Sequence, residues 1–265
     1  MEDRVRIAIA DGVADVRMVR AEKMNAVDPA MKAALLAAGD RLRTEHGLRC
    51  VVLSGEGRAF CAGIDTGRFG GAVEGASTRP SNHTPRTRGM FNDSQYAVWT
   101  WRELPVPVIA AVHGVAFGAG FQLMLGADIR IMAPGTRLSI METKWGLIPD
   151  MGGTQLFYRL AREDIVRELT YTGRIFQAEE ALSYGFATRL ADDPHAEAMA
   201  LAREIAGRSP SAVRAAKRLL NAAPVTDPAA GLLAESLEQD LLIGRPHQLE
   251  AIRANIEKRP PAFED

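Results

Sequence analysis

The first part of the chain alternates between two hydrophobic periods, and this pattern predicts a mixed α/β fold. Residues 5–9 and 13–19 alternate apolar and polar side chains on either side of Asp11-Gly12, a pair typical of tight hairpin turns. In residues 29–45, apolar side chains recur every three or four positions, as on one face of a helix. The pattern therefore predicts a β-hairpin followed by an amphipathic helix.

The next apolar run, residues 50–53, has no polar positions and so predicts a strand covered on both faces. The resulting order of hairpin, helix and strand suggests ββα units stacked in a spiral. Later strands are predicted at residues 108–112, 128–132, 138–141 and 186–190, and later helices at residues 94–104, 152–160, 165–170 and 178–184.

The composition changes at Pro194 to alanine, leucine, arginine and glutamate with helical spacing only. We therefore divide the chain into a core, residues 1–193, and a C-terminal helical region, residues 194–265. Helices are predicted in the second part at residues 194–207, 211–222, 229–242 and 248–258.

Length and charge narrow the possible functions. The chain has 265 residues and a formal net charge of −1, so neither a nucleic-acid surface nor a polyanion surface is expected. No apolar run is long enough for a membrane helix, and the five histidines lack metal-ligand spacing. The two cysteines, Cys50 and Cys61, are expected to be free thiols in a reducing compartment. The sequence thus predicts a cytoplasmic protein that binds no metal and no membrane.

Residues 107–128 hold the most informative segment. An apolar strand enters a cluster of glycine and alanine, residues 114–120, and a helix pattern follows. Free N–H groups at such a helix start can bind an anionic atom, although a tight turn packed on a core has the same pattern. A dinucleotide-binding fingerprint is excluded because Leu123 stands where the third glycine is required. No G-x-S-x-G nucleophile motif is present either.

Three segments of the chain resemble the crotonase (enoyl-CoA hydratase/isomerase) superfamily. They are residues 58–65 (RAFCAGID), residues 107–128 and residues 142–154 (ETKWGLIPDMGGT). The three segments occur in the family's order, and the match extends from near Arg4 to Arg259. The resemblance implies a crotonase (ClpP-like) spiral of ββα units with a C-terminal helical trimerisation region. It also implies an acyl-CoA thioester substrate, no further cofactor, and a homotrimer or dimer of trimers.

By this resemblance, the backbone N–H groups of Ile64 and Ala119 form an oxyanion hole for the thioester carbonyl. Such donors stabilise the negative charge that develops on the oxygen, and this acidifies the neighbouring carbon. The family's coenzyme A contacts fall on Lys23, Ala26, Ala62, Asp65 and Lys258, of which Lys258 would reach the coenzyme A of a neighbouring subunit. The two lysines are equally compatible with solvated surface charges.

The catalytic residues implied by the resemblance depart from the hydratase pattern. Hydratases of this superfamily use two glutamates, but here Gln122 stands at the first position and Glu142 at the second. Glutamine can orient a water molecule but cannot exchange a proton at neutral pH. Asp150 stands where dienoyl-CoA isomerases of the family carry a proton-shuttling aspartate. Alternatively, Asp150 is only the N-cap of the following helix.

Three functions remain open from the sequence. The preferred one is a double-bond isomerase acting on an enoyl- or dienoyl-CoA, with Glu142 as principal base and Asp150 as possible partner. The second is a 2-enoyl-CoA hydratase of fatty-acid β-oxidation, in which Gln122 orients the water. The third is an acyl-CoA-binding subunit that has lost catalysis.

Residues 66–93, rich in glycine and proline, are expected to form a mobile wall of the acyl pocket.

Overall fold

The computed structural model describes residues 3–67 and 83–264. Its strands are β1 Val5–Ala10, β2 Val13–Met18, β3 Cys50–Gly55, β4 Val108–Val112, β5 Val115–Phe117, β6 Ile129–Met132, β7 Arg137–Ser139, β8 Phe176–Gln177 and β9 Arg189–Leu190. Its α-helices are α1 Pro29–Arg43, α2 Asp93–Glu103, α3 Ala119–Leu125, α4 Gly153–Phe157, α5 Glu163–Thr172, α6 Ala178–Tyr184, α7 Pro194–Ala206, α8 Pro210–Ala222, α9 Pro228–Asp240 and α10 Pro246–Glu257.

Six strands form the main sheet in the order β1-β2-β3-β4-β6-β9, and three form a smaller sheet in the order β5-β7-β8. The predicted hairpin is confirmed: β1 and β2 pair antiparallel, and both Asp11 and Gly12 have positive φ, as a two-residue hairpin turn requires. The other pairs in the main sheet are parallel. The helices between parallel strands serve as crossovers, which gives the expected α/β spiral.

The main sheet is covered on both faces, as the continuous apolar run in β3 predicts. One face packs against α1, α2 and α3 in a core that includes Leu35, Trp101 and Phe121. The other face packs against α7, whose Ala198 and Ala202 lie against strand residues of β2, β3, β4 and β6. α7 begins at Pro194, where the composition changes, and it belongs to the packing of the sheet.

A buried lysine is among the residues that tie the remaining helical region to the core. Lys217 of α8 donates hydrogen bonds to the carboxylate of Asp128 (2.8 Å) and to the Val106 carbonyl (2.8 Å). Burial is the largest influence on this ammonium, and it lowers the pKa of Lys217 despite the attraction of Asp128. Among the described residues, no helix is both long and apolar enough to span a bilayer.

Several elements are shorter than the sequence pattern predicts. The strand predicted at residues 138–141 ends at Ser139, and the helix predicted at residues 152–160 covers only Gly153–Phe157. Gly152 precedes that helix with a φ of 85°, which keeps it outside the helical region. Of the wall predicted at residues 66–93, residues 68–82 lie outside the described part of the chain.

Candidate active site

The two segments expected to form the oxyanion hole lie side by side. β5 ends at Phe117, and α3 begins at Ala119 after Gly118, whose φ of 49° and ψ of −114° suit glycine. Cys61 pairs with Ala116 in a parallel bridge, which sets residues 58–65 alongside β5. A Cβ atom on Gly63 would lie only 2.6 Å from the Phe117 carbonyl oxygen and 3.8 Å from the Ala119 nitrogen. The two backbone segments therefore lie so close together at Gly63 that a side chain there would clash with the Phe117 carbonyl.

Among the described residues, neither proposed donor, Ile64 nor Ala119, has its N–H group engaged by a backbone carbonyl. The Val27 N–H donates to the Gly63 carbonyl (2.7 Å), and the Val27 carbonyl accepts from the Asp65 N–H (3.2 Å). These two bonds flank Ile64 and do not use its N–H group. The Ala119 N–H opens α3 and has no partner within that helix. Neither group donates to a backbone carbonyl of another described residue. Both residues line a cavity of about 540 Å³, where a carbonyl oxygen could accept from both N–H groups.

The loop beside this cavity is held by Asn25, a buried residue in the left-handed conformation (φ 55°). Its amide accepts a hydrogen bond from the Arg20 N–H (2.9 Å) and donates to the carbonyls of Glu56 (3.0 Å) and Ala59 (2.9 Å). This three-way contact fixes the short 3-10 turn Ala21–Lys23 against the end of β3.

Four of the residues implied in coenzyme A binding line the cavity: Lys23, Ala26, Ala62 and Asp65. Asp65 is also paired within the protein, because Arg20 lies 2.8 Å from its carboxylate. The hydrogen bond from Arg20 is the main cause that lowers the pKa of Asp65, so the carboxylate stays charged.

Glu142 lies at the start of a 3-10 helix, Glu142–Trp145, and its side chain faces the cavity although only 6% of the residue is exposed. Burial raises the pKa of Glu142, whereas hydrogen bonds from its own backbone N–H and from Gln122 lower it. The negative charge of Asp150 adds to the rise. A carboxyl with a raised pKa suits a general acid or base.

Gln122, on α3, contacts Glu142 directly. Its Nε2 donates to Glu142 Oε1 at 2.6 Å, and its Oε1 accepts from the backbone N–H groups of Met151 (2.9 Å) and Gly153 (3.0 Å). Gln122 is only 1% exposed and does not line the cavity. The sequence identified this position as a departure from the hydratase pattern, but it gave no signal of these three contacts.

Like Gln122, two further implied site residues do not line the cavity. Asp150 does not line it, and its carboxylate lies 4.0 Å from His83 Nδ1. The helix-cap alternative for Asp150 is wrong, because the N-cap residue of α4 is Gly152 and the Gly153 N–H at the helix start donates to Gln122. Lys258 is exposed at the C-terminal end of α10, also outside the cavity. A proton-carrying role for Asp150 and a coenzyme A contact for Lys258 remain predictions.

Comparison with known proteins identifies the group to which this chain belongs. A family model described as enoyl-CoA hydratase/isomerase matches residues 8–265. The mitochondrial methylglutaconyl-CoA hydratase of Mus musculus is 30% identical over 99% of this chain and 84% of its own length. The 1,2-epoxyphenylacetyl-CoA isomerase of Escherichia coli is 33% identical over 96% of both chains.

Solved structures agree with the sequence comparison. The crystal structure of a putative enoyl-CoA hydratase from Streptomyces coelicolor A3(2) superimposes with a TM-score of 0.87 at 34% identity, over 98% of this chain and 94% of that one. With the whole fold matched and the family's three segments gathered around one cavity, the chain belongs to the enoyl-CoA hydratase/isomerase family.

Proposed function

We propose that this member of the acyl-CoA-processing family shifts a double bond in an enoyl- or dienoyl-CoA through a thioester enolate. The observation that carries the proposal is the 2.6 Å hydrogen bond between Gln122 and Glu142. A water molecule bonded to both side chains would hold their polar atoms roughly 4.5–5.5 Å apart, because its two hydrogen bonds meet at an angle. The direct bond leaves no such space, so the site favours proton transfer over addition of water.

The reaction assigns one task to each part of the site. The N–H groups of Ile64 and Ala119 donate to the thioester oxygen and stabilise its charge in the enolate. Glu142 takes a proton from the α-carbon of a 3-enoyl thioester, and the electron pair spreads over the dienolate. Returning that proton to the γ-carbon yields the 2-enoyl thioester. The coenzyme A portion supplies no chemistry beyond the thioester, so no separate cofactor is proposed.

Coenzyme A binding is proposed at the cavity mouth. Lys23 is exposed there and suits the phosphate groups of the nucleotide end, while Ala26, Ala62 and Asp65 border the same opening. Lys258 would contact the coenzyme A of a neighbouring subunit in a homotrimer or dimer of trimers. A cytoplasmic location belongs to the same proposal, and it is supported by two free, buried thiols, Cys50 and Cys61.

Hydration of a 2-enoyl-CoA is the second candidate, and the similarity to methylglutaconyl-CoA hydratase favours it. In that case Glu142 alone would activate the water, because Gln122 is fully engaged with the protein. General acid–base help from one group is worth about 10²–10⁴ in rate, so such a hydratase would lack a large part of its catalysis.

Glu142→Gln tests whether the protein is an enzyme or only an acyl-CoA-binding subunit. The amide retains the shape of the side chain but cannot exchange a proton. We expect isomerisation of a 3-enoyl-CoA to fall by at least about 10²-fold, with the dissociation constant of a saturated acyl-CoA unchanged in calorimetry. Tight binding without turnover in the wild-type protein would establish the binding subunit and contradict the proposal.

A further inference from the structure

We infer that Gln122 is a positioning residue that holds the Glu142 carboxylate in one orientation by donating a hydrogen bond to its Oε1. This inference rests on the proposed function and gives Gln122 a role other than orienting a water molecule. It follows from the direction of three hydrogen bonds that join the glutamine to the carboxylate and to the backbone.

The orientation of the Gln122 amide is fixed by the backbone. Met151 and Gly153 each present an N–H group to Gln122, at 2.9 and 3.0 Å, and only the carbonyl oxygen of the amide can accept them. The NH₂ group must therefore face the other way, where it meets Glu142 Oε1 at 2.6 Å. A rotated amide would lose all three bonds and place donors against donors.

The same bond leaves the two oxygens of Glu142 in different surroundings. Oε1 accepts from Gln122, whereas Oε2 is buried and has no hydrogen-bond partner among the described residues. A buried carboxylate oxygen without a partner is costly, which is common at sites that act on a substrate. Gly118 stands beside this carboxylate, and a Cβ atom there would come within 3.3 Å of Glu142 Oε1. Gln122 therefore holds the carboxylate through Oε1 alone.

Gln122 also connects this carboxylate to the loop that precedes α4. Gly153 packs directly on the glutamine, because a Cβ atom at that position would lie 2.7 Å from Gln122 Oε1. The glutamine therefore bridges α3, the carboxylate and the backbone at Met151 and Gly153. A side chain held at both ends restrains Glu142 to one orientation, and such preorganisation lowers the cost of reaching the transition state.

An amide serves this purpose better than a carboxylate would. A glutamate at position 122 could still accept from Met151 and Gly153, but its second oxygen would face Glu142 Oε1 at hydrogen-bond distance. Two carboxylates that close cannot both be charged, so they would share a proton and the pKa of Glu142 would rise. The Gln122 NH₂ group instead lowers that pKa and favours the charged base.

The test compares Gln122→Met and Gln122→Glu with the wild-type protein. Methionine fills a similar volume without hydrogen bonds, and glutamate donates only when it carries a proton. Gln155→Met is the matched control, since it makes the same replacement on an exposed residue of α4 outside the cavity. Two quantities are measured: the pH profile of kcat/KM for 3-enoyl-CoA isomerisation, and the titration of the Glu142 carboxyl by ¹³C NMR.

We expect the acid limb of the profile to move to higher pH in both variants, by about one unit, because a hydrogen bond to the charged form is lost. We also expect kcat to fall at least tenfold with little change in KM, while Gln155→Met matches the wild-type profile. The NMR titration should move in the same direction as the kinetic limb. If Gln122→Met does not fold, Gln122→Glu still provides both readouts.

An unchanged Glu142 titration in either folded variant would overturn the inference, whatever happens to the rate, because a merely structural glutamine would leave that pKa in place. Failure of the proposed function looks different. The wild-type protein would then not isomerise the thioester, yet the NMR titration would still report whether Gln122 controls Glu142.

Discussion

At the scale of single residues, the role proposed for Ala119 belongs to its backbone N–H and not to its side chain. It occupies the first position of α3, where proline is well tolerated because its missing N–H has no helical partner. Ala119→Pro therefore removes one donor of the proposed oxyanion hole with little expected damage to the helix. We expect kcat to fall by about 10²–10³-fold, the usual cost of losing one such donor.

Ala119→Gly is the control, since it changes the side chain but keeps the N–H group, and its kcat should stay within a fewfold of the wild-type value. Circular dichroism and thermal melting check that both variants fold. A folded Ala119→Pro protein with full isomerase activity would show that the Ala119 N–H does not bind the thioester oxygen.

Asp150 allows a prediction about pH. Its negative charge raises the pKa of Glu142, and its carboxylate does not line the cavity. We expect Asp150→Asn to lower the pKa of Glu142, so the acid limb of the kcat/KM profile should move to lower pH. Activity at the plateau should fall less than tenfold. A plateau loss of about 10²-fold would instead identify Asp150 as a proton carrier, the role that the resemblance implies.

Sequence reasoning reached part of this site. The three family segments led to Ile64, Ala119 and Glu142, and the structure gathers these residues around one cavity. The contacts of Gln122 could not be read from the sequence, because its partners Met151 and Gly153 lie about thirty residues further along the chain. Nothing in the local pattern states which distant backbone N–H groups a glutamine will meet.

At the scale of elements, periodicity predicted most helices and strands, because it reflects which face of each element is buried. The ends were less accurate where a short polar contact decides them. α2, for example, begins after Asn92, whose side chain and that of Gln95 cap each other's backbone. The order of the strands was not predictable in detail, since the pairing of β6 with β9 joins segments far apart in sequence.

The loop held by Asn25 gives a prediction at this scale. Asn25→Ala removes three hydrogen bonds, leaves two carbonyls without this partner and puts alanine in a left-handed conformation. We expect the free energy of unfolding to fall by about 2–4 kcal/mol, measured by urea denaturation. KM for the acyl-CoA should rise as well, because this loop borders the cavity at Lys23.

Asn255→Ala is the matched control, because Asn255 is exposed on α10 and bonds only its own helix. Its free energy of unfolding should differ from the wild-type value by less than about 0.5 kcal/mol. Equal losses in the two variants would mean that Asn25 does not anchor the loop.

At the scale of the whole molecule, the C-terminal helices leave apolar side chains uncovered. α9 has no buried residue, and Leu233 and Leu237 are 61% and 57% exposed. These two leucines are four positions apart, so they share one face of the helix. A helix of this length with nothing packed on its apolar face is only marginally stable, which favours a covering subunit.

We therefore expect the wild-type protein to form a trimer or a dimer of trimers, and Leu237→Glu to shift it to monomers. Size-exclusion chromatography with light scattering measures both. Glu235→Lys, a charge reversal between the two leucines and off their common face, should leave the assembly intact. If the wild-type protein is monomeric at micromolar concentration, these helices do not form a subunit interface.

The central claim is that one carboxyl, held by a glutamine, transfers a proton within the acyl chain and does not hydrate it. The most direct measurement is the ratio of two wild-type kcat/KM values, for isomerisation of a 3-enoyl-CoA and for hydration of the 2-enoyl-CoA of equal chain length. Because the Gln122–Glu142 bond leaves no space for a bridging water, we predict that isomerisation is faster by at least about 10²-fold. Hydration as fast as isomerisation, or faster, would contradict the account.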